Sequence, residues 1–105
     1  MEIIYWNDKV PKFIDDLDTI TSSRVKNVIN MLGIYGNLLD MPDSKSLSGG
    51  LFELRTHGKI KARILYVFHN NKAFVLHGFI KKAWKISLRD INYAKRIQKE
   101  IMRLA

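Results

Sequence analysis

Three short runs rich in β-branched and aromatic residues follow one another in the second half of the chain. They are residues 51–56, 62–69 and 73–80. In the first run the apolar Phe52 and Leu54 alternate with charged residues, which is typical of a strand with one buried face. Between the second and third runs, Asn70 and Asn71 can form a tight turn because asparagine tolerates positive φ. We therefore predict three consecutive antiparallel strands.

Two helical patterns precede these strands, after a short strand-like run at residues 2–6. In both patterns apolar residues recur at the spacing of one helix face. The first set is Val10, Phe13, Ile14 and Leu17, and the second is Val25, Val28, Ile29 and Leu32. The Thr-Ser-Ser segment at residues 21–23 offers an N-cap for the second helix, and Gly33 or Gly36 ends it. This predicts an antiparallel helix hairpin.

A third helix closes the chain. Ser87 and Asp90 have the spacing of a capping box. The residues predicted to face inward from this helix are Leu88, Ile91, Ala94, Ile97 or Gln98, and Ile101. Residues 37–50 contain Pro42 and two glycines, and are predicted to be a loop. The expected order is β-α-α-β-β-β-α over a single domain, residues 1–105. The fold class is α+β, with the helix hairpin and the C-terminal helix packed on an antiparallel sheet and residues 73–80 inside that sheet.

Composition excludes several classes of protein. The apolar fraction of 47% and the charged fraction of 27% are those of an ordinary globular domain. The chain has no cysteine, which rules out a disulfide framework or a zinc–thiolate site. No uninterrupted apolar window is long enough for a membrane span, and the first residues lack the features of a secretory signal. We expect a cytoplasmic protein that contacts no membrane.

The positive charge is concentrated in one half of the chain. The net charge is +8. Residues 1–44 carry four basic and seven acidic residues, whereas residues 45–105 carry fourteen basic and three acidic ones. A charge needed only for solubility would not be divided in this way. The asymmetry favours a surface that binds a polyanion, with nucleic acid as the first expectation.

Cations are predicted to gather on one face of the sheet. If the side of the sheet that carries Tyr66 faces the helices, Arg55 and Arg63 project from the opposite, open side. Lys81 or Lys82 joins them from the end of the third run. Two adjacent lysines at the end of an apolar strand are then explained by an anionic ligand. The alternative for Arg55 is an ion pair with a neighbouring glutamate.

The histidines show no spacing typical of a metal site. His77 lies inside an apolar strand and is expected to be a hydrogen-bonded structural residue. His57 lies in an exposed turn beside Arg55, where an imidazole could exchange protons. Trp84 could stack on a base or pack against the last helix. Arg89 begins a basic stripe on that helix, which is either a solvated face or a contact for RNA.

Three segments in this order and spacing carry a family resemblance: GLFELR, ARILYVF and LHGFIKK. The chain resembles the HigB-like, phage-derived branch of the RelE/ParE toxin superfamily over nearly its whole length. The resemblance implies a toxin of a type II toxin–antitoxin system that cuts mRNA on the ribosome, without a metal or other cofactor. Attack by a ribose 2′-OH on the adjacent phosphate is the chemistry it implies. The implied partners are mRNA and a helix-turn-helix antitoxin of the HigA kind, with operator DNA contacted only through that antitoxin.

Residue pattern and resemblance together give two sets of site residues. The catalytic set is Arg63, Lys82, His57 and Glu53, and the RNA-binding set is Arg55, Lys81, Trp84 and Arg89. Arg63 and Lys82 would stabilise the phosphate charge. His57 and Glu53 would transfer protons. A tyrosine that some relatives use early in the last helix has no match, because Tyr93 lies about one helical turn too late.

Two other functions remain open on the sequence. A toxin of the ParE kind shares the fold but poisons DNA gyrase without cutting RNA, and a decayed toxin would only bind its antitoxin or RNA. Fold alone does not separate these alternatives, because function depends on the site. Clustered arginines and lysines on the sheet favour the nuclease.

Overall fold

The computed structural model describes residues 1–104 and contains five strands and three α-helices in that range. The strands are β1 (Glu2–Tyr5), β2 (Ser44–Ser46), β3 (Leu51–Arg55), β4 (Ala62–His69) and β5 (Lys72–Ile80), and the helices are α1 (Lys9–Asp15), α2 (Thr19–Tyr35) and α3 (Leu88–Met102). A 3₁₀ turn, Gly36–Leu38, follows α2. The predicted α+β class is confirmed, and the element order is correct apart from the added β2. None of the helices described here combines the length and apolar character needed to cross a bilayer.

The sheet is mixed, with strand order β1-β5-β4-β3-β2. β2 to β5 pair antiparallel, but β1 pairs parallel with β5, so the prediction of a purely antiparallel sheet is wrong. β2 lies within residues 37–50, which were predicted to be a loop. Its sequence, Ser-Lys-Ser, has no apolar alternation, and it is a strand because it pairs with β3 and because Ser44 Oγ lies 2.6 Å from the buried Tyr66 hydroxyl. β5 lies inside the sheet as predicted.

Helices cover both faces of the sheet. The hairpin of α1 and α2 packs on the face that carries Leu54, Ile64, Tyr66 and Val75. α3 packs on the opposite face, and its contribution to that core is Ala94, Ile97 and Ile101 against Leu51, Leu65, Val67, Phe74 and Leu76. The Tyr66 side therefore faces the hairpin, as assumed. The other side is not an open surface, because α3 covers part of it.

The helix ends differ in detail from the predictions. α2 begins at Thr19, where the Asp18 carboxylate accepts a hydrogen bond from the Thr21 amide at 3.0 Å, so the predicted cap at residues 21–23 is wrong. Gly36 ends α2 with a φ of 53°, a value that favours glycine. Ser87 caps α3 as predicted. Leu88 is 76% exposed and does not face inward, since it lies on the first turn beyond the core.

A β-bulge in β5 changes which side chains face α3. Leu65 on β4 pairs with His77, whereas the next residue, Tyr66, pairs with Val75, so Leu76 is an extra residue in β5. Leu76 therefore packs toward α3 and so does His77, although adjacent strand residues normally point to opposite faces. The bulge brings His77 to α3 and turns Gly78 toward α1.

Candidate nucleic-acid interface

A large cleft lies on the α3 side of the sheet, at the end that α3 leaves uncovered. α3 packs over Leu51 and Val67, and the same strands then continue to Arg55 and Arg63 beyond its first turn. The β3–β4 turn, the β2 side of the sheet and the connection from β5 to α3 surround this end. They enclose a cleft of about 960 Å³, here called the basic cleft.

The basic cleft is strongly cationic. Eight basic side chains and one carboxylate line it. The basic residues are Lys45, Arg55, Lys59, Lys61, Arg63, Lys81, Lys82 and Lys85, and the carboxylate is Glu53. Low-dielectric walls concentrate the field of such charges and raise the local concentration of anions. Apart from Ile91 of α3, the lining belongs to three segments of the chain, 45–55, 59–63 and 80–86.

Two arginines face each other at the floor of the cleft. Arg55 on β3 pairs directly with Arg63 on β4. Like charges in this position repel. The Glu53 carboxylate lies between them, with Oε1 3.7 Å from Arg55 Nε and Oε2 3.5 Å from Arg63 Nε. Because one carboxylate faces two guanidinium groups, the cluster keeps a net positive charge.

Arg63 is held from several directions. Its side chain is only 4% exposed, so the expectation that it projects from an open side of the sheet is wrong. Nη1 donates to the Thr56 and Ala62 carbonyl oxygens, both at 3.0 Å. Burial lowers the pKa of Arg63, the Glu53 carboxylate raises it, and Arg55 lowers it. The Arg63 guanidinium group is therefore held at the floor of the cleft by two hydrogen bonds and one carboxylate.

Three polar atoms in the Glu53–Arg55–Arg63 cluster are buried without a hydrogen bond. They are Glu53 Oε2, Arg55 Nε and Arg63 Nε. The ion-pair distances are slightly too long for hydrogen bonds, so these atoms keep only electrostatic compensation. Buried polar atoms of this kind are rare in folded proteins and are costly. The cluster therefore depends on electrostatic attraction rather than on hydrogen bonds at these three atoms.

The connection from β5 to α3 forms the lysine-rich wall of the cleft. Its first residue, Lys81, is tied to the β3–β4 turn by a hydrogen bond from its amide to the Lys61 carbonyl at 2.8 Å. Lys82 and Lys85 are exposed. Trp84 lies between them with 90% of its surface exposed, so it does not pack against the last helix. The predicted contacts of Lys81, Lys82 and Trp84 with one surface are therefore compatible with the structure.

Two predicted site residues lie outside the cleft. His57 is 56% exposed, and its Nε2 is 3.7 Å from Asp43 Oδ1. Arg89 lines a separate groove beside Tyr93. His77 is hydrogen-bonded as predicted, with Nε2 2.6 Å from Asp90 Oδ1. Neither His57 nor Arg89 lines the basic cleft, so six of the eight predicted site residues share it.

Sequence reasoning missed part of the lining. Lys45 falls in the segment predicted to be a loop, and Lys59 and Lys61 are not among the eight predicted site residues. All three line the basic cleft. The only sequence feature that could have indicated these lysines is the excess of basic residues in the second half of the chain. That excess does not predict the direction of each side chain. In the described part of the chain, His, Asp and Glu side chains form no group of three that could hold a metal ion.

Comparison with known proteins places the chain in a family. No curated protein matches it. A family model described as phage-derived protein Gp49-like (DUF891) matches residues 12–99, which is most of the chain and includes β2 to β5, α2 and nearly all of α3. The matched region contains the whole lining of the basic cleft. The chain belongs to the Gp49-like family of phage-derived proteins.

Proposed function

We propose that this protein is a toxin of the RelE type, close to the HigB-like branch, that cuts mRNA on the ribosome. The observation that carries the proposal is the basic cleft, in which the buried Arg63 lies below a wall of lysines. Polyanion binding needs concentrated positive charge, and phosphoryl chemistry needs some of that charge held in a fixed position. Membership of the Gp49-like family and the β-α-α-β-β-β-β-α order support the same proposal.

The proposed reaction needs only RNA, the protein and solvent water. The ribose 2′-hydroxyl loses its proton to solvent water as its oxygen attacks the adjacent phosphorus. The bond to the 5′-oxygen breaks, that oxygen takes up a proton, and the products are a 2′,3′-cyclic phosphate and a 5′-hydroxyl. Negative charge increases on the phosphorane oxygens during this step. The Arg63 guanidinium group and the Lys82 ammonium group are the donors proposed to stabilise that charge, with Arg55 and Lys81 beside them.

Proton transfer is assigned differently from the sequence interpretation. The Glu53 carboxylate lies within 4 Å of two guanidinium groups, and its side chain is only 3% exposed. Its proposed role is to position Arg55 and Arg63. Among the described lining residues the other titratable groups are lysines and arginines, so a lysine ammonium group is the proposed acid for the departing 5′-oxygen.

The proposed partners follow from the proposed class. The substrate is mRNA presented by the ribosome, and the inhibitor is a helix-turn-helix antitoxin of the HigA kind that also carries the contact with operator DNA. The site of action is the bacterial cytoplasm. The charge of the basic cleft supports the RNA part of this proposal.

Primer extension on a reporter mRNA after brief induction tests the function. Wild-type protein should create new 5′ ends within the translated frame. An untranslated copy of the message should stay intact. Lys82→Ala should reduce cleavage at least about tenfold, since about 1.4 kcal/mol less transition-state stabilisation corresponds to a factor of about ten in rate. Its side chain is exposed, so the substitution should leave the fold intact.

Two further variants make this test specific. Arg63→Ala should abolish cleavage, and circular dichroism must show that the variant is folded, because it removes one of the two guanidinium groups that face the buried Glu53. Lys26→Ala removes an exposed lysine from α2 on the other side of the sheet and should cut like the wild type. Growth arrest with intact mRNA and a DNA-damage response would discard the nuclease in favour of a gyrase poison.

A further inference from the structure

The outer edge of β5 is unpaired over its second half. β1 pairs with β5 only from Lys72 to Val75, and the pairing ends with a hydrogen bond from the Trp6 amide to the Val75 carbonyl. β5 continues to Ile80, and within residues 1–104 no strand lies beside its outer edge after Val75. Burial follows the same division, since residues 73–76 are buried and residues 77–80 are half-buried. An unpaired strand edge presents backbone donors and acceptors to another chain.

The first part of this edge forms the floor of a groove of about 340 Å³, here called the edge groove. Its floor is Leu76, His77 and Gly78. One wall is the first turn of α1, and the other is the outer face of α3 at Arg89, Tyr93 and Arg96. The groove is separate from the basic cleft, because the two share no lining residue.

The walls of the edge groove are cationic. Lys9, Arg89 and Arg96 line it, and none of the three has an ion-pair partner in the described chain. Lys9 Nζ and Arg96 Cζ each lie 5.7 Å from the centre of the Tyr93 ring, which is a weak contact for an exposed cation. The groove's own carboxylate, on Asp90, is already bound by His77.

We propose that the edge groove binds an extended acidic segment of a partner protein, which adds to β5 as a further strand. The β5 backbone over residues 77–80 would supply the hydrogen bonds, and alternate acidic side chains of the segment would reach Arg89 and Arg96. A nucleic acid could meet the charges but has no backbone pattern that pairs with a strand edge. The proposal does not depend on what the basic cleft does.

Nuclear magnetic resonance on the whole isotope-labelled protein tests this directly. The probe is a short capped peptide of alternating glutamate and valine. Its addition should shift the amide signals of residues 77–80 and slow their exchange with solvent. The matched probe has the same amino-acid sequence but carries N-methyl groups on the backbone nitrogens that would face β5. It should bind at least about tenfold more weakly, because those hydrogen bonds are removed.

Paired charge reversals on α3 test the walls. Arg89→Glu combined with Arg96→Glu should weaken binding of the glutamate peptide about tenfold or more. Lys95→Glu combined with Lys99→Glu changes the charge of the same helix equally but outside the groove, and should change binding less than about threefold. Equal effects of the two pairs would overturn the proposal.

Other outcomes would also overturn it. Equal binding of the N-methylated probe would mean that charge alone attracts the peptide. Shifts confined to α3, with unchanged exchange at residues 77–80, would exclude strand addition. A short single-stranded RNA that shifts the same β5 amides more strongly than the peptide would assign the groove to RNA instead.

Discussion

The carboxylate of Glu53 lies 3.5 Å from Nε of Arg63, and both side chains are almost completely buried. This pair has a second arginine, Arg55, at 3.7 Å on the other carboxylate oxygen. Transferring ions from water into a protein interior costs several kcal/mol per ion, so a buried pair is weak evidence for stability alone. A buried, net-positive cluster at the floor of a cleft instead fits the proposed anion-binding site.

Glu53→Gln should destabilise the protein by about 3–5 kcal/mol, because it removes the carboxylate charge that offsets two facing guanidinium groups. Urea unfolding at neutral pH measures the free energy. Glu2→Gln is the matched control, since it removes an exposed ion pair in which Lys72 Nζ is 4.0 Å away, and it should cost less than about 0.5 kcal/mol. Similar losses of unfolding free energy in the two variants would mean that the Glu53 charge does not stabilise the two facing arginines.

Lys82→Ala should lower the salt dependence of RNA binding. For each phosphate of single-stranded RNA that the variant no longer neutralises, the slope of log affinity against log salt concentration should fall by about 0.7. Fluorescence anisotropy with a labelled single strand at several salt concentrations measures the slope. Lys26→Ala, outside the basic cleft, should leave the slope unchanged, and an equal reduction there would show that binding depends on net charge only.

Trp84→Ala should weaken RNA binding without destabilising the fold. Stacking on one base contributes about 1–3 kcal/mol. The indole is 90% exposed, so the free energy of unfolding should change by less than about 0.5 kcal/mol. Anisotropy and urea unfolding measure the two quantities, and Trp84→Phe should retain part of the affinity. A loss of stability with unchanged affinity would contradict the stacking role.

Local patterns predicted the elements that have strong periodicity. The apolar stripes gave α1, α2 and α3, and alternation in residues 51–56 gave β3, because both patterns record which face is buried. Pairing between strands that are distant in the sequence leaves no periodic pattern of apolar residues. β2 is a strand because it pairs with β3, where Ser44 lies opposite Leu54. β1 pairs in parallel with β5, where Glu2 lies opposite Lys72, although no local pattern relates the two segments.

The sequence predicted which residues belong to the site better than it predicted how they are arranged. Because side chains alternate between the two faces along a strand, the sequence predicted that Arg55 and Arg63 lie on the same face of the sheet. The structure confirms this. The sequence could not show that Arg63 is buried, since burial depends on Glu53 and on the Thr56 carbonyl across the β3–β4 turn. The bulge at Leu76 also has no sequence signature, and it alone brings His77 to α3.

Gly78→Ala should destabilise the protein by about 1–3 kcal/mol through overpacking. An added Cβ would lie 2.6 Å from Phe13 Cδ2 and 2.9 Å from Ile64 Cδ1. Thermal unfolding measures the loss. Gly49→Ala is the control. An added Cβ there has open space around it but the φ is 62°, so any loss of stability in this variant comes from backbone strain and not from crowding. Recovery of the lost stability in Gly78→Ala combined with Phe13→Leu would identify Phe13 as the crowded neighbour.

Asp90→Asn should make stability less dependent on pH in the acid range. Burial raises the pKa of Asp90, but hydrogen bonds from His77 and Ser87 outweigh it and leave the pKa below its ordinary value of 3.8. A carboxylate with a lowered folded-state pKa stabilises the protein above about pH 4, and this contribution is lost as pH falls through the folded-state pKa. The variant should therefore be about 1 kcal/mol less stable than the wild type at neutral pH.

Urea unfolding from neutral to acid pH measures this difference, which should shrink below about pH 4 as the wild-type carboxyl group protonates. Glu100→Gln, an exposed carboxylate on the same helix, is the control and should differ little from the wild type across the range. A difference for Asp90→Asn that stays constant or grows in acid would mean that the charge of Asp90 does not stabilise its contact with His77. The α3 N-terminus would then be held to β5 mainly by apolar packing.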